Sequence, residues 1–122
     1  MTDTSPRRGT TAPNRPPGEI EDSMTQITVD RLAALPAPFV VDVRSADRFA
    51  EGHLPGALNL HPSQLADRLD EMPHGVAVYL VCQGGMRSAR AARVLRSRGI
   101  DAVDVVGGTT AWAAAGLPLV QS

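Results

Sequence analysis

The fold is decided by the stretch VAVYLVCQGGMRSARAARVLRSRG, residues 76–99. Its first part, residues 76–81, is a continuous apolar run with β-branched and aromatic side chains, which is typical of a buried parallel strand. Residues 88–98 consist almost wholly of good helix formers, and Gly99 follows them where a glycine commonly ends a helix. The stretch therefore predicts a strand, a short loop and a helix.

The cysteine of this loop, Cys82, is the only one in the chain. Gly84 and Gly85 permit positive φ and allow backbone N–H groups to turn towards the sulfur atom. The N-terminus of the following helix adds a partial positive charge, and Arg87 adds a full one. Because each of these features favours the thiolate over the thiol, Cys82 is a candidate nucleophile.

The alternative interpretation of these residues is structural. A lone cysteine in an intracellular chain is usually an inert core residue, and a Gly-Gly pair by itself marks only a turn. Here both occur between a strand and a helix, with Arg87 and Ser88 closing the loop. We therefore interpret the loop from Cys82 to Ser88 as a site for a nucleophilic thiolate and an anion.

Strands and helices alternate along the rest of the chain. Strands are predicted over residues 26–28, 39–43, 58–60, 76–81 and 102–106, and helices over residues 30–35, 45–51, 62–71, 88–98 and 110–115. This alternation predicts an α/β fold, with an open, mostly parallel five-stranded sheet and helices on both faces. Ligands of such sheets bind at the carboxyl ends of the strands, which is where Cys82 lies.

Length and composition indicate one domain that follows a leader. The chain of 122 residues is long enough for a single hydrophobic core. Residues 1–24 are polar and rich in proline, so we expect them to be disordered. We expect residues 25–122 to form the domain.

Charge and cysteine content restrict the function classes. The net charge of −1 gives no argument for binding to nucleic acid or to a membrane. A single cysteine excludes an internal disulfide framework and a C-x-x-C redox or zinc motif. Since we find neither an apolar run of transmembrane length nor a signal-peptide core, we expect a cytoplasmic protein.

Four motifs, in order and with the expected spacing, resemble those of the rhodanese family of single-domain sulfurtransferases. They are Val41-Asp42-Val43-Arg44, Gly52-His53-Leu54-Pro55-Gly56-Ala57-Leu58-Asn59, the loop Cys82–Ser88, and Gly107-Gly108-Thr109-Thr110-Ala111-Trp112 followed by Gly116-Leu117-Pro118. The resemblance covers residues 26–118. It departs from the family pattern at Leu54 and Thr109, and neither position is expected to touch the chemistry.

The resemblance implies a rhodanese-like fold and a transfer of sulfane sulfur. The Cys82 thiolate would attack the outer sulfur of thiosulfate or a related donor, release sulfite and become a persulfide. Cyanide, a small thiol or an acceptor protein would then take the sulfur from a monomeric enzyme that needs no cofactor or metal. The substrate-binding residues implied by the family loop are Gln83, Gly84, Gly85, Met86, Arg87 and Ser88.

Two other functions are compatible with this type of loop. Cysteine phosphatases and arsenate reductases of similar fold also combine cysteine and arginine, but their loops are one residue longer, which allows them to ring a phosphate. In this chain four residues separate Cys82 from Arg87. A non-catalytic binding module of the same fold is the third possibility, and the presence of Cys82 argues against it because such modules typically lose this residue.

Several other residues receive structural interpretations. Asp42 and Arg44 stand near a strand end, where a carboxylate and a guanidinium often tie loops together. His53 precedes Leu-Pro-Gly and is predicted to be a hydrogen-bonded turn residue rather than a general base. Trp112 is expected in the core or in a pocket wall. Arg87, by its place in the loop, is expected to bind the anion.

Overall fold

A five-stranded sheet forms the centre of the protein in the computed structural model, which describes residues 25–121. The strands are β1 (Gln26–Ile27), β2 (Phe39–Asp42), β3 (Leu58–Asn59), β4 (Val78–Val81) and β5 (Ala102–Val105). They are arranged in the order β1-β5-β4-β2-β3, and every neighbouring pair is parallel. The predicted α/β sheet is confirmed, while the predicted disordered leader of residues 1–24 lies outside the described residues.

Helices connect the strands and cover both faces of the sheet. They are α1 (Val29–Ala33), α2 (Ala46–Glu51), α3 (Pro62–Leu65), a 3-10 helix (Ala66–Glu71), α4 (Met86–Ser97) and α5 (Gly108–Ala114). The helix expected over residues 62–71 is divided after Leu65, and Arg68 has the non-helical angles φ −120° and ψ 24°. In the part of the chain that the structure describes, no helix combines the length and the apolar character needed to cross a membrane.

The boundaries around Cys82 differ from the expected ones. β4 begins at Val78 rather than at residue 76, because Val76 is 51% exposed and lies outside the sheet. α4 begins at Met86, earlier than the expected residue 88, because Gly85 adopts a left-handed conformation with φ 103° and turns the chain directly into the helix. Arg87 therefore belongs to the first turn of α4.

Two hydrophobic clusters fill the space between the sheet and its helices. Successive strand residues point to opposite faces, so Val40 joins one cluster and Val41 the other. The first cluster packs β2 and β4 against α3 and α4, and its members include Val41, Val78, Leu80, Leu65, Ala91 and Leu95. The second packs the opposite face against α1 and α5, and its members include Val40, Val81, Val105, Leu32 and Trp112. Helical spacing predicts Val94 on the same side of α4 as Ala91, Ala92 and Leu95, but Val94 is 41% exposed.

The register of the sheet places the loops that follow its central strands side by side. Asp42 of β2 pairs with Val81 of β4, and Leu80 of β4 pairs with Asp104 of β5. Because the strands are parallel, their carboxyl ends meet at one edge of the sheet. Cys82 follows β4 directly and therefore lies between the ends of β2 and β5.

Candidate active site

The sulfur atom of Cys82 is held where β4 ends and the loop begins. The residue is 2% exposed. The backbone N–H of Gly85 donates a hydrogen bond to its Sγ at 2.9 Å, and the hydroxyl oxygen of Ser88 lies 3.4 Å from the same atom. A backbone donor aimed at the sulfur stabilises negative charge on it, as a nucleophilic thiolate requires.

The N-terminal end of α5 supports the loop from behind. Gly108 packs so closely against it that a Cβ atom at this position would lie 2.2 Å from the carbonyl oxygen of Cys82. The Thr109 N–H donates to that oxygen at 2.9 Å, and the Thr110 N–H donates to the carbonyl oxygen of Gln83 at 3.0 Å. The side-chain amide of Gln83 also donates to the Thr110 hydroxyl at 3.1 Å. The loop is therefore fixed by backbone contacts that only glycine permits at residue 108.

A pocket of about 370 Å³ opens in front of Cys82, on the side of β2. The residues that line it are Arg44, Arg48, Cys82, Gln83, Gly84, Met86 and Arg87. Among the described residues this lining holds three arginines and no acidic side chain. Arg48 and Arg87 are exposed, so their guanidinium groups can bind an anion from solvent next to the sulfur atom.

The third arginine of the pocket is held by a buried ion pair. Arg44 Nε donates to Asp42 Oδ1 at 3.0 Å and Nη2 donates to Oδ2 at 2.9 Å, with the side chains 5% and 0% exposed. Nη2 also donates to the carbonyl oxygen of Gly52 at 2.7 Å, and Nη1 donates to Gln83 Oε1 at 3.3 Å. The predicted structural role of Asp42 and Arg44 is confirmed, since the pair joins the loops after β2, α2 and β4.

The predicted binding residues fall into two groups. Gln83, Gly84, Met86 and Arg87 line the pocket together with Cys82. Gly85 and Ser88 contact the sulfur atom itself, and they lie behind it rather than in the pocket wall. The roles of these residues in substrate binding stay predictions.

His53 and Trp112 have the structural positions expected for them. The Nδ1 atom of His53 lies 2.8 Å from the carbonyl oxygen of Phe49, and the two rings stack with their centroids 3.7 Å apart. His53 is thus a hydrogen-bonded turn residue. The indole N–H of Trp112 donates to the carbonyl oxygen of Pro118 at 2.7 Å, and its ring packs in the second cluster.

A family comparison agrees with this architecture. The family model of the Rhodanese-like domain matches residues 25–115. The chain belongs to this family. The resemblance to the rhodanese family found in the sequence motifs is thereby confirmed, and the fold is that of a rhodanese-like domain.

Relatives of this rhodanese-like domain include sulfurtransferases. A protein described as "Sulfurtransferase" from Allochromatium vinosum is 36% identical over 91 residues, which are 74% of this chain and 85% of the relative. The crystal structure of a rhodanese-like domain protein from Staphylococcus aureus is 35% identical with a TM-score of 0.72, and the match covers 81% of this chain and 99% of that one.

Longer proteins also contain a domain of this type. The crystal structure of thiosulfate sulfurtransferase from Pseudomonas aeruginosa is 28% identical with a TM-score of 0.73. The match covers 97% of this chain and 22% of that one. The match covers only part of several curated relatives. It spans 23%, 59% and 46% of the length of three of them.

Two residues of the site were not identified from the sequence. Arg48 reaches the pocket because Ser45 caps α2, so that this helix begins shortly after the end of β2. Asp104 of β5 is 5% exposed and accepts a hydrogen bond from the Ser88 hydroxyl. The sequence does contain a signal for Asp104, which is the one charged residue in the apolar run of residues 102–106. A carboxylate buried in such a strand needs a hydrogen-bonding partner, and this indicates a polar contact at the site.

Proposed function

We propose that this rhodanese-like domain transfers sulfane sulfur from thiosulfate or a related donor to a thiophilic acceptor through a persulfide on Cys82. The observation that carries the proposal is the hydrogen bond from the Gly85 N–H to Sγ at the base of a pocket lined by Arg48 and Arg87. It combines a site for negative charge on sulfur with cations that attract an anionic donor.

In the donor half of the reaction, the guanidinium groups of Arg48 and Arg87 bind the oxygens of thiosulfate. The Cys82 thiolate attacks the outer sulfur, and a new S–S bond forms at Sγ. The S–S bond within the donor breaks, and its electron pair leaves with sulfite. The product is a Cys82 persulfide anion, which the Gly85 N–H stabilises.

In the acceptor half, a nucleophile attacks the outer sulfur of the persulfide and Cys82 leaves as a thiolate. Cyanide, a small thiol or a sulfur-accepting protein could serve as the nucleophile. None of these steps requires a cofactor or a metal ion. We place the reaction in the cytoplasm, with a monomeric enzyme that binds neither nucleic acid nor membranes.

The pocket is less suited to a phosphatase or an arsenate reductase. Four residues lie between Cys82 and Arg87, which gives a loop shorter by one residue than the loops that ring a phosphate in enzymes of similar fold. The pocket lining within residues 25–121 also contains no acidic side chain that could protonate a leaving alkoxide. A purely non-catalytic module would have no use for a donor aimed at Sγ.

The mass of the intact protein tests the proposal most directly. Incubation with thiosulfate should increase the mass by one sulfur atom, and later addition of cyanide should remove that atom. Cys82→Ser should show no increase, and p-nitrophenyl phosphate should not be turned over at a comparable rate. Sulfur transfer by the serine variant, or phosphatase turnover above sulfur transfer in the unmodified protein, would refute the proposed reaction.

A further inference from the structure

On the side of Cys82 away from the anion pocket, its side chain and two others, one from α4 and one from β5, form a chain of contacts. The Ser88 hydroxyl oxygen in α4 lies 3.4 Å from Cys82 Sγ. The same hydroxyl donates to the carboxylate oxygen Oδ1 of Asp104 in β5. Ser88 is 0% exposed and Asp104 is 5% exposed. A continuous path of hydrogen-bonding atoms thus joins the reacting sulfur to a buried carboxylate.

The single proton of the Ser88 hydroxyl makes this path directional. An ionised carboxylate can only accept, so Ser88 then donates to Asp104 and offers a lone pair to the S–H of Cys82. If Asp104 instead holds a proton, it donates to Ser88, and Ser88 can donate to the Cys82 thiolate. The carbonyl oxygen of Gly85, 3.2 Å from the hydroxyl, is the other acceptor within reach. The two arrangements differ in the position of one proton, which either Cys82 or Asp104 carries.

Asp104 also reaches solvent on another side of the loop, through a pocket that shares only Gly84 and Met86 with the anion pocket. It lines a second pocket of about 390 Å³, which lies on the side of β1 and β5. The lining of this second pocket also includes Gln26, Gly85, Arg90, Arg93 and Gly107. A proton on Asp104 can therefore be exchanged with water while an anion occupies the space in front of Cys82.

We propose that Asp104 takes up the proton of Cys82 through Ser88, and so acts as a positioning residue for the nucleophile. The inference rests on the proposed function of Cys82. The thiol proton passes from Sγ to the Ser88 oxygen as the hydroxyl proton passes to Asp104 Oδ1. The thiolate then attacks the outer sulfur of the donor and sulfite leaves, after which Asp104 releases its proton to water in the second pocket.

Charge explains why such a path is useful. Thiosulfate is a dianion, and a shared proton keeps the pair of Cys82 and Asp104 at one negative charge rather than two when the donor arrives. The other charged groups that face this path from the described elements are cations, or are already paired. Arg44, Arg48 and Arg87 lie in front, Arg90 and Arg93 line the second pocket, and Asp42 is bound to Arg44.

Alkylation of the protein by iodoacetamide, measured from acid to neutral pH, tests the inference. The reaction reports only the thiolate of Cys82, which is the single cysteine of the chain. The unmodified protein should show a shallow dependence on pH, because Asp104 takes up the thiol proton and the thiolate forms without release of a proton to solvent. Asp104→Asn should instead lose about tenfold in rate for each unit of pH on the acid side, since its thiolate forms only by release of a proton to solvent.

The comparison variants separate proton uptake from a merely structural role. Ser88→Ala interrupts the path without adding volume and should give the same steep pH profile. This variant still tests the inference if Asp104→Asn does not fold. The double variant should be no steeper than either single one, because the residues act as one unit. Asp67→Asn, the same chemical change at an exposed position of the 3-10 helix, should keep the shallow profile.

Two results would overturn the inference. One is a profile of Asp104→Asn that superimposes on that of the unmodified protein. The other is faster alkylation of Asp104→Asn at acid pH, which would mean that the carboxylate only repels the thiolate. Alkylation needs no sulfur donor, so these outcomes are distinct from a failure of Cys82 to form a persulfide.

Discussion

The loop that carries Cys82 has a front and a rear that are built differently. At the front, Arg48 and Arg87 are exposed side chains around an open pocket. At the rear, backbone packs on backbone, with Gly108 against the carbonyl oxygen of Cys82 and the Thr109 N–H donating to that same oxygen. The front is charged and accessible to water, whereas the rear is close-packed around the Cys82 carbonyl group and the buried side chains of Ser88 and Asp104.

This difference indicates that the front of the site binds the anion and that the rear positions the sulfur atom of Cys82. An anion must enter and leave, and exposed guanidinium groups provide charge at a small desolvation penalty. A sulfur atom must stay within hydrogen-bonding distance of the Gly85 N–H, and close packing holds it there. Changes at the rear should therefore reduce both stability and activity, whereas changes at the front should reduce activity alone.

The largest effect is expected from Gly108→Ala at the rear. The added Cβ atom would lie 2.2 Å from the carbonyl oxygen of Cys82, and residue 108 has φ +56°, which L side chains rarely adopt. We expect the free energy of unfolding to fall by about 3 kcal/mol. Urea denaturation measures this change, and the remaining folded protein should form the persulfide more slowly because the loop has shifted.

Gly75→Ala is the matched control for this variant. Gly75 has φ +83°, and a Cβ atom there would meet nothing within 4 Å, so the backbone strain remains while the collision is absent. The expected loss is about 1–2 kcal/mol with unchanged persulfide formation. Equal losses for the two variants would show that the contact between Gly108 and the loop is not tight.

A smaller and purely kinetic effect is expected from Arg87→Ala at the front. Loss of a charge-assisted hydrogen bond to the donor should reduce kcat/KM of the donor half-reaction by about 1.5–3 kcal/mol. Arg87→Lys should recover only part of it, because a point charge does not reproduce the planar guanidinium. Rapid-mixing measurement of persulfide formation gives the rate, and urea denaturation should show unchanged stability.

Arg98→Ala serves as the control at the opposite end of α4. Arg98 is exposed at the C-cap and lies outside the pocket lining, so the same loss of charge should leave the donor kinetics unchanged. If Arg87→Ala also had unchanged donor kinetics, Arg87 would have no place in the anion site. If it lowered stability as Gly108→Ala does, the distinction between front and rear would fail.

The smallest effect is expected from removing residues 1–23. Their polar, proline-rich composition offers few core-forming side chains, so the domain should lose little when they are absent. A chain that starts at Met24 should keep its melting temperature and its kcat. A marked fall in either quantity would show that these residues dock on the domain.

Much of the fold could be predicted because the relevant signals are local. Apolar runs bounded by turn residues predict the strands of residues 39–43 and 76–81, and good helix formers predict α4, since both preferences act over a few neighbouring residues. The alternation of these elements is sufficient for a parallel α/β sheet. The same reasoning places Cys82 at the carboxyl end of a strand, where the structure has it.

The sequence by itself thus determined the order of elements, the class of fold and the loop in which the cysteine lies. Only the tertiary structure decided that Arg48 lines the pocket, that Gly108 packs on the Cys82 carbonyl group, and that Asp104 meets Ser88. These contacts join residues on different elements, and they exist because β2, β4 and β5 lie in one parallel register. The apolar pattern of each strand contributes to that register, but the register itself is fixed only when strands distant in the chain pack together against the helices.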